Sequence, residues 1–188
     1  VTGVQTCALP IYYERKHIYD IVALQQGETG KSIMLPKEII ALNNYGDIHI
    51  GKEKAFVINK DDRSYNLSMG KNSLDCGLDV TLEVIDNDES LILDDDKYTK
   101  YFDYSKIDGT ILLRYRKQGD KFLPLGMKGR KKIKDLFIDL KIPREKRESI
   151  PLICFGNEIS WIIGYKISDI FKVTNSANKI LKIKIESR

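Results

Sequence analysis

The sequence predicts an α+β fold: a short N-terminal helical remnant followed by a strand-rich mixed sheet domain with two helices. Three patterns carry this reading. Residues 111–116 and 179–186 alternate apolar and polar side chains with the period of a half-buried strand. Ile133, Leu136, Phe137 and Leu140 recur at i, i+3, i+4 and i+7, the stripe of a helix packed on a core. Gly156-Asn157 stands between two apolar runs, as in a two-residue hairpin. At 188 residues and 42% hydrophobic, the chain can bury a sizeable core as one large domain or two small ones.

The opening residues 1–11, VTGVQTCALPI, carry no helix or strand period and no basic residue ahead of the apolar part, so they do not read as a signal peptide. They resemble translated library-adapter sequence and are expected to be a non-native segment outside the fold. From residue 12 to 25, Ile18, Ile21, Val22 and Leu24 predict a helix, with Gly27 as its stop. The stretch GETGKS at 27–32 resembles a nucleotide-binding loop, but Gln25 stands where a Walker A motif needs its first glycine. A helix precedes it and IMLP follows, whereas phosphate cradling needs a strand before and a helix after. A helix-ending turn with a solvated lysine is the expectation here.

Residues 36–50 lead into short strands. Asn43-Asn44 and Tyr45-Gly46 supply turn chemistry, and Ile48 and Ile50 alternate with Asp47 and His49. Further strand signals lie at 55–58 and 80–85. The acidic segment around Asp86, Asp88, Glu89, Asp94, Asp95 and Asp96 fails the EF-hand pattern, since Leu91 occupies the glycine position and Lys97 the closing glutamate position. A solvated connector is expected.

In TILLRYR, Ile111, Leu113 and Tyr115 share one strand face, and Leu112, Arg114 and Arg116 the other, so two guanidinium groups should project side by side. A turn-rich loop with Gly119, Pro124, Gly126 and Gly129 follows. The helix predicted over 131–140 leaves Lys131, Lys132 and Lys134 near its N-terminal end, where cations oppose the macrodipole by about 0.3 to 1 kcal/mol each. A second helix is predicted with Pro143 at its first position, then the hairpin over 152–163 and a final strand at 179–186.

The charge is polarised along the chain. Residues 114–147 hold 13 Lys and Arg against 4 Asp and Glu, a net +9 in a chain of net +4, leaving −5 elsewhere. Five of the seven residues from 128 to 134 are basic. Arg suits bidentate phosphate contacts, Lys neutralises as a point charge, and glycines let backbone approach a phosphate. This pattern points to a polyanion, RNA in particular, whose duplex form is gripped by backbone shape and 2′-hydroxyls. A bland Lys-rich soluble face is the alternative.

Other classes are excluded. Cys7, Cys76 and Cys154 are scattered and odd in number, which fits reduced thiols in a cytosolic protein. There is no CxxC, and His17 and His49 are the only histidines, so no metal site is expected. No apolar run approaches the ~20 residues of a membrane span.

The stretches LLRYRKQGDKFLPLGMKGRKKIKDLFIDLKIPREKRESIPLI and EISWIIGYKISDIFKVT resemble the C-terminal signature of bacterial tRNA(Ile)-lysidine synthetases. That signature runs R-x-R-x-x-G-D, P-x-G, K-K-x-K-D, K-I-P-x-x-x-R and W-x-x-G. The stretch IYDIVALQQGETGKSIMLP is similar to the end of the same family's middle region, so the likeness covers most of 13–188. It implies a division into a non-native 1–11, a remnant of the middle accessory region at 12–58 and a C-terminal α+β tRNA-binding domain at 59–188, with its signature module at 108–188.

The same resemblance implies a cytoplasmic enzyme that uses ATP and Mg to adenylate the wobble cytidine of isoleucine tRNA and lets lysine displace AMP. In the family that chemistry sits in a domain with a Ser-Gly-Gly-x-Asp-Ser loop, which this sequence does not contain. The chain is therefore read as an inactive fragment with no catalytic residue, cofactor or metal of its own. Its implied partner is tRNA(Ile), with homodimer formation open through the parent enzyme. Carried onto these positions, Arg114, Arg116, Lys131, Lys132, Lys134 and Arg147 are expected on tRNA phosphates, supported by Lys128 and Arg130. Gly119, Asp120, Pro124, Gly126, Pro143, Trp161 and Gly164 are expected to serve the scaffold, Trp161 in the core rather than as a stacking platform. A standalone RNA-binding or interaction module is the alternative, which the coding sequence ahead of Tyr12 would discriminate.

Overall fold

The computed structural model describes residues 12–52, 63–88 and 96–188. The 1–11 segment, the strand signal at 55–58 and the acidic residues Glu89, Asp94 and Asp95 lie outside the described residues. Those described form two compact units. One contains residues 12–52 with Lys141–Arg147, and the other contains the remainder up to Leu140 together with Glu148–Arg188.

In the first unit, helix α1 (Arg15–Gln26) opens with a reciprocal cap in which the Glu14 N–H donates to His17 Nδ1 at 2.9 Å. It packs on an antiparallel sheet of β1 (Ser32–Leu35), β2 (Ile39–Asn44) and β3 (Asp47–Lys52). Leu24, Leu35 and Ala41 are buried between them, with Tyr13, Ile21, Ile33, Ile39 and Ile48 packed around. The β2–β3 turn is Tyr45-Gly46, with φ of 54° and 92°, the pair of left-handed residues that a two-residue hairpin turn uses to match strand twist. GETGKS therefore sits between a helix and a strand, and Ser32 begins β1 rather than a helix.

Asn43 ties the two layers together. Its side-chain amide donates to the carbonyls of Leu24 at 2.7 Å, Gly27 at 3.1 Å and Gln25 at 3.3 Å, and its Oδ1 accepts from Gly46 N at 2.9 Å. The helix end is thus satisfied by a side chain that is itself 1% exposed. Asn43→Ala removes a buried amide that serves the Leu24, Gln25 and Gly27 carbonyls and the Gly46 N–H at once, so the first unit should lose about 2 kcal/mol, read as a lowered thermal midpoint. An unchanged midpoint would show that water replaces the amide.

The second unit holds two larger sheets. One runs in the order β13 (Lys166–Ile167), β12 (Glu158–Ile162), β11 (Leu152–Phe155), β8 (Ile111–Arg114), β4 (Ser64–Leu67). The other runs β5 (Gly70–Ser73), β6 (Leu78–Asp86), β14 (Lys179–Ser187), β7 (Thr99–Asp103). Their facing sides share one core, in which Leu113, Ile153, Phe155 and Trp161 of the first sheet meet Leu82, Phe102, Leu181 and Ile183 of the second. Phe102 stands edge-on to Phe155 with ring centres 5.3 Å apart, and Phe155 edge-on to Phe171 at 4.8 Å.

The α+β expectation is thus met, including the Gly156-Asn157 hairpin between β11 and β12. Gly156 has φ of 53°, and a Cβ there would lie 3.2 Å from the Asp108 carbonyl. Two local expectations change. The helix foreseen from Pro143 is a single 3-10 turn, Arg144–Lys146, with Pro143 at its cap. The helix foreseen over 131–140 is the shorter α2 (Ile133–Asp139), because Lys131–Lys132 form strand β10 and pair with β9 (Lys121–Phe122).

Candidate nucleic-acid interface

Strand β8 ends at Arg114, so Arg116 lies beyond it and the two arginines do not continue one strand face. Arg114 is held by the turn that follows. Its guanidinium donates to both Asp120 carboxylate oxygens, at 2.8 and 3.0 Å, and to the Tyr115 carbonyl at 2.9 Å. Asp120 also accepts the Lys117 N–H at 2.7 Å, across a turn in which Gly119 takes φ of 89°. The Asp120 carbonyl in turn accepts the Ile133 N–H at 3.0 Å, which fixes where α2 begins. Arg114, Gly119 and Asp120 of the R-x-R-x-x-G-D motif thus form one hydrogen-bonded staple between the end of β8 and the start of α2.

Side-chain exposure of the pair is only 11% for Arg114 and 14% for Asp120. Burial disfavours the Arg114 charge, but the Asp120 carboxylate outweighs it and raises the guanidinium above its ordinary pKa. Nearby, burial pushes the Cys154 thiol up to about 11. Arg116 pairs with Glu148, its Nε donating at 2.8 Å.

Beyond this staple the basic segment divides. Arg130 makes a two-pronged pair with Glu158 at 2.8 and 2.9 Å, and Lys131 pairs with Asp139. Lys128, Lys132 and Lys134 are exposed, and no carboxylate among the described residues pairs with them. The ribbon adds a cation that sequence reasoning missed. Lys121 lies directly across from Lys132 and is also exposed. Like charges placed opposite one another on a sheet destabilise it by about 0.2 to 1 kcal/mol, a cost that a bound polyanion would reverse. Only the strand pairing, across the eight-residue loop 123–130, reveals that juxtaposition.

The macrodipole expectation changes with the helix boundary. Lys131 precedes α2, Lys132 is its cap residue, and only Lys134 lies in its first turn, where Asp135 counters it. The unfavourable electrostatics reside in the ribbon instead.

The loop carrying Lys128 is anchored at its start. Leu125 N donates to Ile167 O at 3.1 Å, Asp169 N to Leu123 O at 3.0 Å, and Pro124 bridges to Ser168. Gly126, with φ of 79°, donates its N–H to Asp169 Oδ1 at 2.9 Å. That hydrogen bond, with Lys172 at 3.1 Å, holds the Asp169 carboxyl below the usual aspartate range. A depressed carboxyl stabilises the fold fully above its unfolded value of about 3.9 and loses that contribution as pH falls through the folded value. Acid titration should therefore leave the loop ordered above about pH 4 and release the Gly126 amide to hydrogen exchange below it. Equal protection on both sides of that range would rule the anchor out.

Of the remaining positions, Trp161 is completely buried in the two-sheet core and Gly164 takes φ of 81°. Arg147 falls in the first unit, where its Nε donates to Ile142 O at 2.8 Å and its Nη2 to the Tyr45 hydroxyl at 3.3 Å. The structure thus gathers Arg114, Arg116, Lys128, Arg130, Lys131, Lys132 and Lys134 in one unit and places Arg147 in the other.

Among the described residues no group of three His, Cys, Asp or Glu side chains is placed to hold a metal. Residues 111–185, which carry this basic loop and lysine ribbon, match the family described as TilS substrate C-terminal domain. A solved structure titled as the crystal structure of TILS C-terminal domain shares this fold, with a TM-score of 0.56 over 66% of this chain and 98% of that one at 22% identity.

The chain is similar to the C-terminal portion of proteins described as tRNA(Ile)-lysidine synthase. It is 54% identical over 177 residues to that enzyme from Clostridium tetani, covering 93% of this chain and 38% of the relative. The match to the enzyme from Clostridium acetobutylicum is 52% over 176 residues, covering 92% and 38%. For Caldanaerobacter subterraneus it is 40% over 178 residues, covering 90% and 36%. The chain spans somewhat over a third of the length of these relatives.

Proposed function

We propose that this chain is the tRNA-gripping part of a cytoplasmic tRNA(Ile)-lysidine synthase, and that Lys121, Lys128, Lys132 and Lys134 seat the phosphates of isoleucine tRNA. The observation that carries the reading is the like-charged Lys121–Lys132 pair across the ribbon, exposed and without carboxylate partners among the described residues. A domain selected for stability alone would place an acid at one of those two positions. Lys131 and Arg130 flank the ridge and can exchange their carboxylates for phosphate, while Arg114 and Arg116 act from beneath by holding the loop in shape.

The parent reaction uses ATP to activate the wobble cytidine for attack by lysine. The GETGKS turn opens a strand rather than a helix, so it does not form a Walker A phosphate loop, and among the described residues no group of three His, Cys, Asp or Glu side chains is placed to hold a metal. This chain contributes binding energy remote from the reacting base, which becomes orientation at the active site. No described helix is long and apolar enough to cross a membrane.

Binding of tRNA should weaken with salt. Four unpaired lysines each releasing a counterion give a slope of log affinity against log salt near −3, so affinity falls about 50- to 150-fold between ~50 and ~200 mM. This is smaller than the roughly 10³- to 10⁵-fold loss for about six to ten contacts, because the protein's own carboxylates pair with several of the cations. A flat response, measured by filter binding or fluorescence anisotropy, would refute the grip.

A further inference from the structure

The three-stranded sheet of the first unit has two unlike faces. Ala41 and Asn43 of β2 point to α1, one into the small core and the other onto the helix-end carbonyls. Ile40, Leu42 and Asn44 alternate with them and so face the opposite way. On that side lies a cavity of about 360 Å³, floored by Ile40 and Leu42, bounded by Thr29 and Gly30, and lined further by Arg144 and Arg147. Tyr45, Ser32 and Asn44 complete its polar rim. Among the described residues that line it there is no carboxylate.

The two arginines differ in how they are held. Arg147 spends its Nε proton on Ile142 O and one Nη2 proton on the Tyr45 hydroxyl, which orients the group and leaves three of its five N–H donors. Arg144 is exposed and makes no ion pair with the described residues. Two guanidinium groups beside hydroxyls and an amide, over an apolar floor, match a phosphate joined to a sugar and base. The volume lies near the lower end of the ~300–1,000 Å³ range of small-ligand sites, room for one nucleotide and too little for a duplex.

We infer that this pocket takes a single nucleotide of an RNA chain, its phosphate between Arg144 and Arg147 and its sugar and base against Ile40, Leu42 and the Tyr45 ring. The inference rests on the tRNA-binding reading above but uses a different unit of the protein. A free nucleotide shares the same chemistry, so the test separates the two sources.

The experiment uses the full chain with Arg144→Gln, Leu42→Trp and, as a separate arm, Lys132→Glu, measuring isoleucine tRNA affinity at fixed salt and binding of AMP by calorimetry. Arg144→Gln alters an exposed side chain and should leave the thermal midpoint unchanged. It is expected to weaken tRNA binding about 5- to 10-fold and to lower the salt slope by about 1. Leu42→Trp fills the cavity and should give a similar loss. Its midpoint is compared with that of Leu42→Met, which keeps the volume and should keep the affinity.

If both pocket variants bind tRNA as tightly as the parent while Lys132→Glu loses affinity, the pocket is overturned and the lysine ridge stands. If the parent chain itself fails to bind tRNA, the underlying reading fails first. AMP binding that Arg144→Gln abolishes, with tRNA affinity unaltered, assigns the pocket to a free nucleotide and overturns the RNA assignment.

Discussion

Asp120→Ala is expected to destabilise the second unit by about 3 kcal/mol, the lower end of the cost of breaking a buried ion pair. The carboxylate accepts two bonds from a guanidinium that is 11% exposed and one from the Lys117 backbone, so its loss strands a positive charge with little water to replace it. Denaturant titration with the fluorescence of the buried Trp161 reads the loss as a lowered midpoint. The control is the double variant Arg114→Met, Asp120→Ala, which removes both charges and should recover a large part of the stability, since it leaves no buried charge without its counter-ion. An unchanged midpoint for Asp120→Ala, with weakened tRNA binding, would return Arg114 to the list of phosphate contacts. The same experiment separates two roles that the R-x-R-x-x-G-D motif leaves merged.

Lys132→Glu with Lys134→Glu should act in the opposite manner. At ~150 mM salt the pair of substitutions is expected to lower tRNA affinity about 10- to 100-fold and to reduce the salt slope by about 1.5 to 2. The fold should not suffer. Reversing position 132 turns a repulsive cross-strand pair with Lys121 into an attractive one, a gain of about 0.2 to 1 kcal/mol. A variant that binds worse while melting no lower, or slightly higher, identifies the ribbon as a surface kept for a ligand. Unchanged affinity in the folded variant would remove these lysines from the interface.

Much of the architecture was legible in local pattern. The alternation in 111–114 and 179–186, the helical stripe through Ile133, Leu136 and Phe137, and the Gly156-Asn157 turn each reappear as strand, helix and hairpin. These features depend on backbone preference and on which side of an element is apolar, and both are written within a few residues. The helix expected from Pro143 is only one turn long: Pro143 and the basic residues after it favour a first turn, yet the helical segment ends after Arg144–Lys146. The one expected over 131–140 was overextended because Lys131 and Lys132 fit a helix end as readily as a strand, and pairing with Lys121–Phe122 decided the matter.

Sequence alone established the α+β class, the concentration of positive charge between 114 and 147 and the resemblance that names the family. It could not say which of those charges are available. Arg114, Arg116, Arg130 and Lys131 meet Asp120, Glu148, Glu158 and Asp139, carboxylates that lie 6, 32, 28 and 8 positions away along the chain. Folding also set Lys121 opposite Lys132 and carried Arg147 into the other unit. Charge is a property of each residue, but its neutralisation depends on distance in space, and spatial distance is determined by the strand pairings and turns that bring remote segments together.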